Sequence, residues 1–449
     1  FPVPFFWQSP PVVVRILAMA KWSARELEIE KEANEEAKKQ DLRVNLGLPD
    51  WLTNTFIRPQ GIARAVVGVL SASTLPLEVV ILALWKQVPL KFRYILVRFL
   101  WRCWYTLHRL LPNKLAKRGL SDSMSLEAHA MNNALWLSRL IPMTLRRVRF
   151  GLNQLECNWP VTQGLPQKHV DLPERGVRGV YLTLSTPTGE SPRVLMWIYG
   201  GAFIGGDVVG NLGLAEHHAR ALNADAFLVD VRLSPESTAE DIYLDACRAY
   251  EWLLEQVPAE RIIFAGVSSG GGVAVRTMQI AASTDEATRR RFFARTAPTP
   301  QPAGSICFGP WVRYTDSEEM KRNILKMMNY DLIVSPSVVD CVMPVMKDIR
   351  GEGPDQEPCS NPAKDKVSPL YQPMEGLGPL FISVSKHEAC YEEDVQLATK
   401  AREAGVETTL SVRPYMCHVY QLLSCFLPEA QEECVAIWKW GNERFAASE

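Results

Sequence analysis

A glycine-flanked serine near the middle of the chain has the residue types and spacing best suited to chemistry. Residues 266–270 read Gly-Val-Ser-Ser-Gly and fit the pattern G-x-S-x-G. In this pattern a strand ends in a sharp turn that exposes the serine, and the glycines let the next helix pass close to the sheet. The apolar residues 262–264 predict the buried strand, and residues 273–280 predict the helix. Ser268 is therefore expected at the tip of the turn.

A second candidate is a glycine-rich stretch that follows a predicted strand at residues 194–198. Residues 199–206 read Tyr-Gly-Gly-Ala-Phe-Ile-Gly-Gly. Consecutive glycines expose backbone N–H groups, which are fixed donors for negative charge that develops during a reaction. We expect the amides of Gly200 and Gly201, with that of Ser269 after the serine, to form an oxyanion hole. A tight turn without a chemical role is the simpler alternative.

Strands and helices alternate from about residue 176 onward, and this alternation positions both stretches. It predicts right-handed crossovers and a mostly parallel sheet with helices on both faces. The predicted strands cover residues 177–184, 194–198, 226–230, 262–264, 381–384 and 408–412. The predicted helices of this part cover residues 212–222, 239–254 and 273–280.

Composition limits the classes of function. The 449 residues, 47% of them hydrophobic, suffice for one large α/β core with an extension. The net charge of −1 argues against a nucleic-acid binder. Ten cysteines are scattered without a C-x-x-C pair, so no metal and no redox cofactor is expected, and an intracellular, thiol-reducing compartment is favoured. The chain begins with Phe1, so any targeting peptide is not visible.

The N-terminal third contains an apolar stretch at residues 65–85 in which Glu78 is the single charged residue. Its length suffices to span a bilayer, but Glu78 and Pro76 near its middle count against a span. A buried cap helix and attachment to a membrane interface are the alternatives.

A row of cations on the following predicted helix favours an interface. Lys91, Arg98, Arg102 and Arg109 fall within roughly 20° of one line along a helix, at about 100° per residue. The rest of the circumference is largely apolar or aromatic, with Arg93 opposite the row. Such helices lie in membrane surfaces, where arginine favours anionic headgroups. A helix that packs on the remainder of the protein, with the row in water, stays open as the alternative.

From about residue 176 to its end the chain resembles the hormone-sensitive-lipase-like branch of the α/β-hydrolase fold, which includes arylacetamide deacetylases and many bacterial esterases. That family carries H-G-G-G-F, Y-R-L-A-P-E-H, G-D-S-A-G-G, an acid near D-x-L-x-D-D, and a histidine in a P-x-x-P-H-x-F-like turn. The matching stretches, in the same order, are Tyr199-Gly-Gly-Ala-Phe203, Val231-Arg-Leu-Ser-Pro-Glu-Ser237, Gly266-Val-Ser-Ser-Gly-Gly271, Glu388-Ala-Cys-Tyr-Glu-Glu393 and Pro414-Tyr-Met-Cys-His-Val-Tyr420.

The resemblance implies a serine ester hydrolase with a Ser-acid-His triad. Ser268 matches the nucleophile, Glu388 the acid and His418 the base, and the order is that of this fold. Glu388 and His418 each follow a predicted strand, so both are expected beside Ser268. The rival acids are Glu392, Glu393 and Asp394, and the rival histidines are His217, His218 and His387.

Several positions differ from the family pattern without removing a group that makes or breaks a bond. Tyr199 and Ser237 stand where the family has histidine, Ala202 where it has glycine, Val267 where it has an acid, and Ser269 where it has alanine. Losses of polar support around an active site can still be costly. These changes keep a second hypothesis open, a catalytically idle α/β-hydrolase fold that serves as a binding or assembly subunit of a membrane-associated complex.

The leading hypothesis is a serine carboxylic-ester hydrolase that needs no cofactor and acts on a small apolar ester. Its expected domains are a helical N-terminal extension at residues 1–165 and an α/β-hydrolase domain at residues 166–449. Residues 311–372, with helices predicted at 318–328 and 337–349, resemble the family's cap insertion and are expected to wall the substrate pocket. Residues 60–112 are expected to contact a membrane surface or a protein complex.

Overall fold

The computed structural model describes residue 88 and residues 90–447, except 139–144, 153–165, 185–191, 296–297, 316–317, 335 and 353–364. The apolar stretch at residues 65–85 lies outside the described residues, so whether it spans a bilayer, packs as a cap helix or attaches to an interface stays a prediction. Of residues 60–112, the structure describes residue 88 and residues 90–112. Within the described ranges, every helix is too short or too polar to cross a lipid bilayer.

A twisted sheet of eight strands forms the centre of the fold. In chain order the strands are β1 Gln167–Leu172, β2 Val177–Leu182, β3 Val194–Ile198, β4 Asp225–Val229, β5 Ile262–Val267, β6 Gly304–Phe308, β7 Leu380–Ser385 and β8 Thr408–Arg413. Their spatial order is β1-β2-β4-β3-β5-β6-β7-β8. The first two pairings are antiparallel, and β4, β3, β5, β6, β7 and β8 run parallel. This confirms the predicted α/β-hydrolase architecture with a mostly parallel sheet.

Helices cover both faces of the sheet, which is why its central strands are buried and largely apolar. In chain order they are α1 Leu90–Arg109, α2 Asn113–Lys117, α3 Leu126–Ser138, α4 Leu145–Leu152, α5 Val208–Ala221, α6 Ala239–Leu254, α7 Ser269–Ala282, α8 Glu286–Phe292, α9 Glu318–Met327, α10 Pro336–Val342, α11 Met346–Arg350, α12 Tyr391–Glu403 and α13 Pro428–Ala446. All residues of β3, β5 and β7 are buried. A parallel sheet covered on both faces needs such continuous apolar strands.

Local signals place the helix starts. Thr238 and Asp241 form a capping box at the start of α6, which begins where the sequence predicts. Asp207 accepts a hydrogen bond from the Gly210 N–H, so α5 begins four residues before the predicted position. The predicted helix at residues 337–349 is instead broken between α10 and α11 by a 3-10 turn, Met343–Val345. Pro344 lies in this turn, and proline lacks the N–H that a continuous helix requires.

The first described helices pack against the C-terminal part of the chain and form a second small core. Its buried members are Leu120, Met124, Ala128, Tyr330, Met416, Cys417, Tyr420, Phe426, Leu427 and Ala430. In helix α1, the Trp101 ring lies edge-on to that of Phe426 at 5.4 Å, and the Trp104 Nε1–H donates to the Ala130 carbonyl at 2.8 Å. The N-terminal helices therefore adjoin the loop that holds His418.

Helix α1 packs on the protein with a different side from the one expected. Arg98 does not lie in a row of solvent-facing cations, because its guanidinium donates to the Cys425 carbonyl at 2.6 Å and lies over the Phe426 ring. Arg102 and Arg109 are exposed. The predicted row of cations is therefore divided: Arg98 contacts the protein, whereas Arg102 and Arg109 lie on the surface. The reason is the flat guanidinium, which can pack on an aromatic ring and bind a carbonyl at the same time.

Candidate active site

Ser268 lies at the sharp turn between β5 and α7. Its backbone is in the left-handed region, with φ +52° and ψ −120°, which is costly for a residue with a side chain and is common at functional sites. The glycines on either side of it are required because a Cβ atom at these positions would clash with backbone carbonyl oxygens. A Cβ atom at Gly266 would lie 2.4 Å from the Gly270 carbonyl oxygen, and one at Gly270 would lie 2.3 Å from that of Ile198. The strand–turn–helix predicted from the sequence is confirmed.

The structure brings Ser268, His418 and Glu388 into one hydrogen-bonded series. Ser268 Oγ lies 2.8 Å from His418 Nε2, and His418 Nδ1 lies 3.0 Å from Glu388 Oε1. Because an ionised carboxylate only accepts hydrogen bonds, Nδ1–H donates to Glu388 and leaves Nε2 free to accept the serine proton. The other oxygen of Glu388 accepts from the Ser385 N–H at 3.0 Å, which fixes the carboxylate.

The electrostatic surroundings suit a base. Burial alone lowers the pKa of His418, but the nearby carboxylates, Glu388 above all, outweigh this effect and leave that pKa above its usual value. Burial likewise raises the pKa of Glu388, while the interaction with His418 opposes the rise. Glu388 is 1% exposed and His418 3% exposed, so water screens their interaction little.

Gly309, directly after β6, is a site residue that the sequence reasoning missed. Its φ is +48°, and a Cβ atom there would lie 2.6 Å from Glu388 Oε1 and 3.3 Å from His418 Nδ1. The Gly309 N–H donates to the Ser383 carbonyl at 2.8 Å, which anchors it between β6 and β7. A lone glycine after an apolar strand was the available signal, but it did not show which side chains approach it.

The glycine-rich loop lies against the Ser268 turn. A Cβ atom at Gly200 would come within 2.5 Å of the Val267 carbonyl oxygen and 3.0 Å of Ser268 Cβ. The Phe203 N–H donates to Ser269 Oγ at 3.4 Å. Ser269 is the first residue of α7, where the backbone N–H has no partner within the helix. The loop and the helix start thus place the amides predicted for the oxyanion hole at one end of β3 and β5.

Backbone strain is concentrated in this loop. Gly201 has φ +133°, Ala202 +52° and Phe203 +63°, all in the left-handed range. The N–H groups of Ile204 and Gly205 both donate to the Gly201 carbonyl, at 3.0 and 3.1 Å, and so hold the turn. Ala202 therefore adopts a conformation that glycine, the family residue at this position, reaches without a steric cost.

Arg149 of α4 supports the loop from outside, and the sequence reasoning did not single it out. Its guanidinium donates to the carbonyls of Ile204, at 2.6 Å, and Ser234, at 2.8 Å. It also forms an ion pair with Glu236 at 2.7 Å. A planar guanidinium can bind two carbonyls and a carboxylate in one arrangement. Arg149 thereby joins the glycine-rich loop to the segment in which Ser237 stands where the family has histidine.

Two further positions that differ from the family pattern, Tyr199 and Val267, have surroundings that suit their side chains. The Tyr199 hydroxyl donates to the Val231 carbonyl at 3.0 Å and lies 3.4 Å from Asp230 Oδ1. Val267 is buried at the end of β5, where an apolar side chain needs no hydrogen-bond partner. Tyr199 thus has hydrogen-bond partners of its own, and Val267 needs none.

The rival candidates lie apart from the Ser268 hydroxyl and have other contacts. His387 Nδ1 accepts from the Tyr415 N–H at 2.9 Å, and His218 Nδ1 accepts from Trp438 Nε1–H at 3.0 Å. Burial lowers the pKa of His387 to about 4 and that of His218 to about 3, so both rings are neutral near pH 7. Among the acids, Glu393 pairs with Arg313 at 3.0 Å and Asp394 is buried on α12.

One group of side chains in the described part of the chain has donor atoms close enough for a metal ion. The donor atoms of Glu388, Cys390 and His418 lie within 4.8 Å of one another. Two of the three already bind each other within the Ser268 series. Burial raises the pKa of the Cys390 thiol well above its usual value, so its thiolate, the form that binds metals, is disfavoured. The donor set fits a hydrolytic triad with a buried thiol beside it better than a metal site.

Comparisons with known proteins show the family to which the chain belongs. Residues 195–422, about half of the chain, match a family described as alpha/beta hydrolase fold. An acetyl-hydrolase of Streptomyces hygroscopicus is 27% identical over 246 residues, which are 55% of this chain and 74% of that protein. Esterase LipU of Mycobacterium tuberculosis is 25% identical over 267 residues, 58% of this chain and 81% of the relative.

Solved structures show the same fold. The crystal structure of EstE7, a homologue of hormone-sensitive lipase from a metagenome library, superposes with a TM-score of 0.57 at 25% identity. The match covers 71% of this chain and 98% of that one. The chain therefore belongs to the α/β-hydrolase fold family, in the hormone-sensitive-lipase-like branch that its motifs predict.

Proposed function

We propose that the protein hydrolyses small apolar carboxylic esters through an acyl-enzyme formed on Ser268. The ester-hydrolase class predicted from the sequence is confirmed by the family match and by relatives that are named acetyl-hydrolase and esterase. The observation that carries the assignment of residues is the series from Ser268 Oγ to His418 Nε2 and from His418 Nδ1 to Glu388 Oε1, at 2.8 and 3.0 Å.

In the first half of the reaction, Ser268 Oγ attacks the ester carbonyl carbon while its proton moves to His418 Nε2. The carbonyl oxygen becomes an oxyanion and accepts hydrogen bonds from the amides of Gly200, Gly201 and Ser269. Collapse of this intermediate breaks the bond to the alcohol oxygen, which takes the proton from His418. The acyl group is left on Ser268.

In the second half, water attacks the acyl carbon and gives its proton to His418 Nε2. The second oxyanion collapses, the bond to Ser268 breaks, and His418 returns the proton to the serine as the acid leaves. Glu388 keeps Nδ1 protonated and stabilises the imidazolium that forms twice in each cycle. The raised pKa of His418 favours this proton uptake.

The name of the acetyl-hydrolase relative supports a short acyl group as the substrate class. A series of p-nitrophenyl esters from acetyl to octanoyl tests this choice. We expect kcat/KM to be highest for the acetyl or butyryl ester. A maximum at octanoyl would contradict the short-chain assignment while leaving the ester-hydrolase class in place.

The catalytic assignment is tested by Ser268→Ala. The matched control is Ser283→Ala, because Ser268 and Ser283 flank the two ends of helix α7. Loss of the nucleophile is expected to lower kcat by about 10⁴-fold or more. Wild type and the control should also be labelled by a fluorophosphonate, whereas Ser268→Ala should not. An unlabelled, inactive wild type would support the alternative of a catalytically idle binding subunit.

We also propose that helix α1 attaches the enzyme to an anionic membrane surface. The side of α1 opposite its protein contacts is apolar and open to solvent. Its large side chains are between 40% and 62% exposed: Phe92, Ile95, Leu96, Phe99, Leu100 and Leu107. Such a contiguous exposed apolar face marks an interaction site.

The charges of α1 favour lipid over protein as the occupant of this face. The helix has the cations Lys91, Arg93, Arg98, Arg102 and Arg109 and contains no Asp or Glu. Arg102 and Arg109 are exposed along one edge of the apolar face, where they can meet anionic headgroups while the apolar side chains enter the acyl region. The scattered cysteines of the sequence support an intracellular location for this surface.

Flotation with vesicles tests the attachment. The full chain should float with vesicles that contain phosphatidylglycerol, less with pure phosphatidylcholine, and less at high salt. A Phe92→Ser/Phe99→Ser protein should stay at the bottom of the gradient and retain ester hydrolysis in solution. If the wild type does not float, or if it associates with itself through this face instead, the lipid assignment is wrong and the catalytic one is unaffected.

A further inference from the structure

Asp331 is a buried carboxylate next to Ser268, His418 and Glu388. The mechanism described above gives it no role. It follows α9 in the segment that resembles the family's cap insertion, and it is 1% exposed. An isolated buried charge is costly, so such a group is retained where hydrogen bonds satisfy it. The partners of Asp331 therefore indicate what it does.

Both oxygens of Asp331 accept hydrogen bonds from backbone N–H groups, and two of these groups belong to catalytic loops. Oδ1 accepts from the His418 N–H at 3.2 Å, and Oδ2 accepts from the Ala389 N–H at 3.0 Å. Ala389 directly follows Glu388. One carboxylate thus joins the main chain of the base to the main chain beside the acid.

Two further bonds hold Asp331 itself in place. Oδ1 also accepts from the N–H groups of Ile333 and Val334, at 3.3 and 3.1 Å. The carboxylate is therefore oriented by its own segment before it reaches the two loops. A rigid anchor of this kind is what a catalytic side chain needs from its surroundings.

The histidine loop needs such an anchor because its backbone is strained. Tyr415 has φ +64° and Val419 has φ +48°, both left-handed conformations of residues with large side chains. Such conformations persist only where surrounding contacts enforce them. The bond from the His418 N–H to Asp331 is one of these contacts.

Asp331 also places negative charge close to the imidazole. The pKa of His418 is lowered by burial and raised first by Glu388, with Asp331 adding to the rise. The other titratable groups around the pair are Glu393 and Asp394 on α12 and the thiols of Cys390 and Cys417. Loss of the Asp331 charge should therefore make His418 a weaker base.

We propose that Asp331 is a positioning residue that fixes the acid loop and the histidine loop relative to each other and assists His418 as a base. The proposal rests on the function proposed for Ser268, His418 and Glu388. It means that the cap-like segment also anchors the two catalytic loops, through the Asp331 carboxylate, rather than serving only as a wall of the substrate pocket.

The test compares Asp331→Asn with Asp365→Asn. Asp365 is a matched control because it is buried in the same insertion, pairs with Arg350 at 3.0 Å and accepts from the N–H groups of Val367 and Ser368, both at 2.9 Å. The asparagine at position 331 keeps the size of the side chain but loses the charge and one acceptor. We expect kcat to fall about 10- to 100-fold with little change in KM, and the acidic limb of kcat/KM to move down by about half a pH unit or more.

The control should lower the melting temperature and leave the acidic limb in place. If Asp331→Asn lowers stability as Asp365→Asn does, and the limb does not move, Asp331 is merely structural and the proposal is overturned. If Asp331→Asn does not fold, Asp331→Ser, which keeps an acceptor, is measured in the same way. A Ser268→Ala protein with full activity would overturn the proposed function itself, which separates the two failures.

Discussion

The two sides of the active site reach their geometry by different means. On the side of β6, β7 and β8, His418 and Glu388 match the family motifs and are almost fully buried. On the side of β3, the glycine-rich loop, which is proposed to form the oxyanion hole, departs from the motif at Tyr199 and Ala202 and has three consecutive residues with positive φ. The comparison teaches that bond-making groups depend on exact neighbours, whereas a loop that supplies only backbone amides can be held by many different contacts.

The loop is held by a residue outside the range that matches the family. Arg149 contacts the Ile204 and Ser234 carbonyls, and it lies before residue 195, where the family match begins. On the triad side, by contrast, the contacts of Gly309 and Asp331 come from within the matched range. Substitutions on the two sides should therefore differ in how much they lower kcat.

Among substitutions of residues that support the site, the largest effect is expected from Gly309→Ala. A Cβ atom 2.6 Å from Glu388 Oε1 must displace a carboxylate that His418 and Ser385 hold, so the Glu388–His418 pair shifts. Displacements of about 1 Å in a catalytic group cost on the order of 10²-fold in kcat. Gly405→Ala is the matched control, because Gly405 also has a positive φ, +80°, and has no neighbour within 4 Å of its Cβ position. Equal kcat values for the two variants would contradict the assigned role of Gly309.

A smaller loss is expected from Arg149→Ala. The loop loses its contacts to this guanidinium but keeps its internal hydrogen bonds, so kcat should fall about 10-fold, less than the 10²- to 10³-fold typical of removing an oxyanion donor itself. Arg149→Lys should recover only part of the loss, because an ammonium group cannot bind two carbonyls and a carboxylate in the planar arrangement of the guanidinium. Arg175→Ala, which removes an exposed pair with Glu255, serves as the control and should keep wild-type kcat. A full loss of activity in Arg149→Ala would show that the loop depends on one contact after all.

The pH profile tests the base on the triad side. Hydrolysis requires neutral His418 Nε2, so kcat/KM rises as the pH rises through the pKa of this group. Because that pKa is raised, the acidic limb should lie above about 6.5, the usual value for histidine. The profile should be the same in His387→Gln, since burial lowers the pKa of His387 to about 4. A limb that lies below 6.5, or that moves in His387→Gln, would exclude this account of the base.

The smallest effect is expected from Ala202→Gly in the strained loop. A left-handed conformation costs a residue with a Cβ about 1–2 kcal/mol, and glycine avoids this cost but loses about 0.5–1 kcal/mol of chain entropy on folding. The net gain should raise the melting temperature by about 2 °C, with little change in kcat. Scanning calorimetry of the wild type and Ala202→Gly measures this difference. A lower melting temperature for Ala202→Gly would mean that contacts of the Ala202 methyl group stabilise the fold by more than the backbone strain destabilises it.

Much of the fold could be predicted because its central strands are apolar and its motifs occur in order. Strand β3 and helix α6 have the predicted bounds, and the series of Ser268, His418 and Glu388 follows from motifs at strand ends. Strand β1 was missed because it is a polar edge strand with a largely exposed pattern, and β6 because its five residues carry no alternation.

The contacts that support the site could not be predicted for a different reason. Asp331 and Arg149 act through hydrogen bonds to main-chain groups, and a main-chain partner leaves no mark in the residue types of the segment it belongs to. The packing of Arg98 on Phe426 could not be predicted for a similar reason. Periodicity shows which residues share a side of a helix, but not which side contacts the protein. Packing of distant segments decides these points.

The second small core has a consequence for the order of folding. Arg98 binds the Cys425 carbonyl, and the Ser125 hydroxyl and N–H bind the Glu429 carboxylate at 2.9 and 2.8 Å, so residues more than 300 positions apart close this core. Contacts of such long range form late, because the intervening chain must be ordered first. During synthesis, the apolar side of α1 that faces Phe426 stays uncovered until nearly the whole chain exists. In refolding from urea, we expect protection of the α1 amides from hydrogen exchange to appear together with ester hydrolysis, and protection that precedes activity would refute this order.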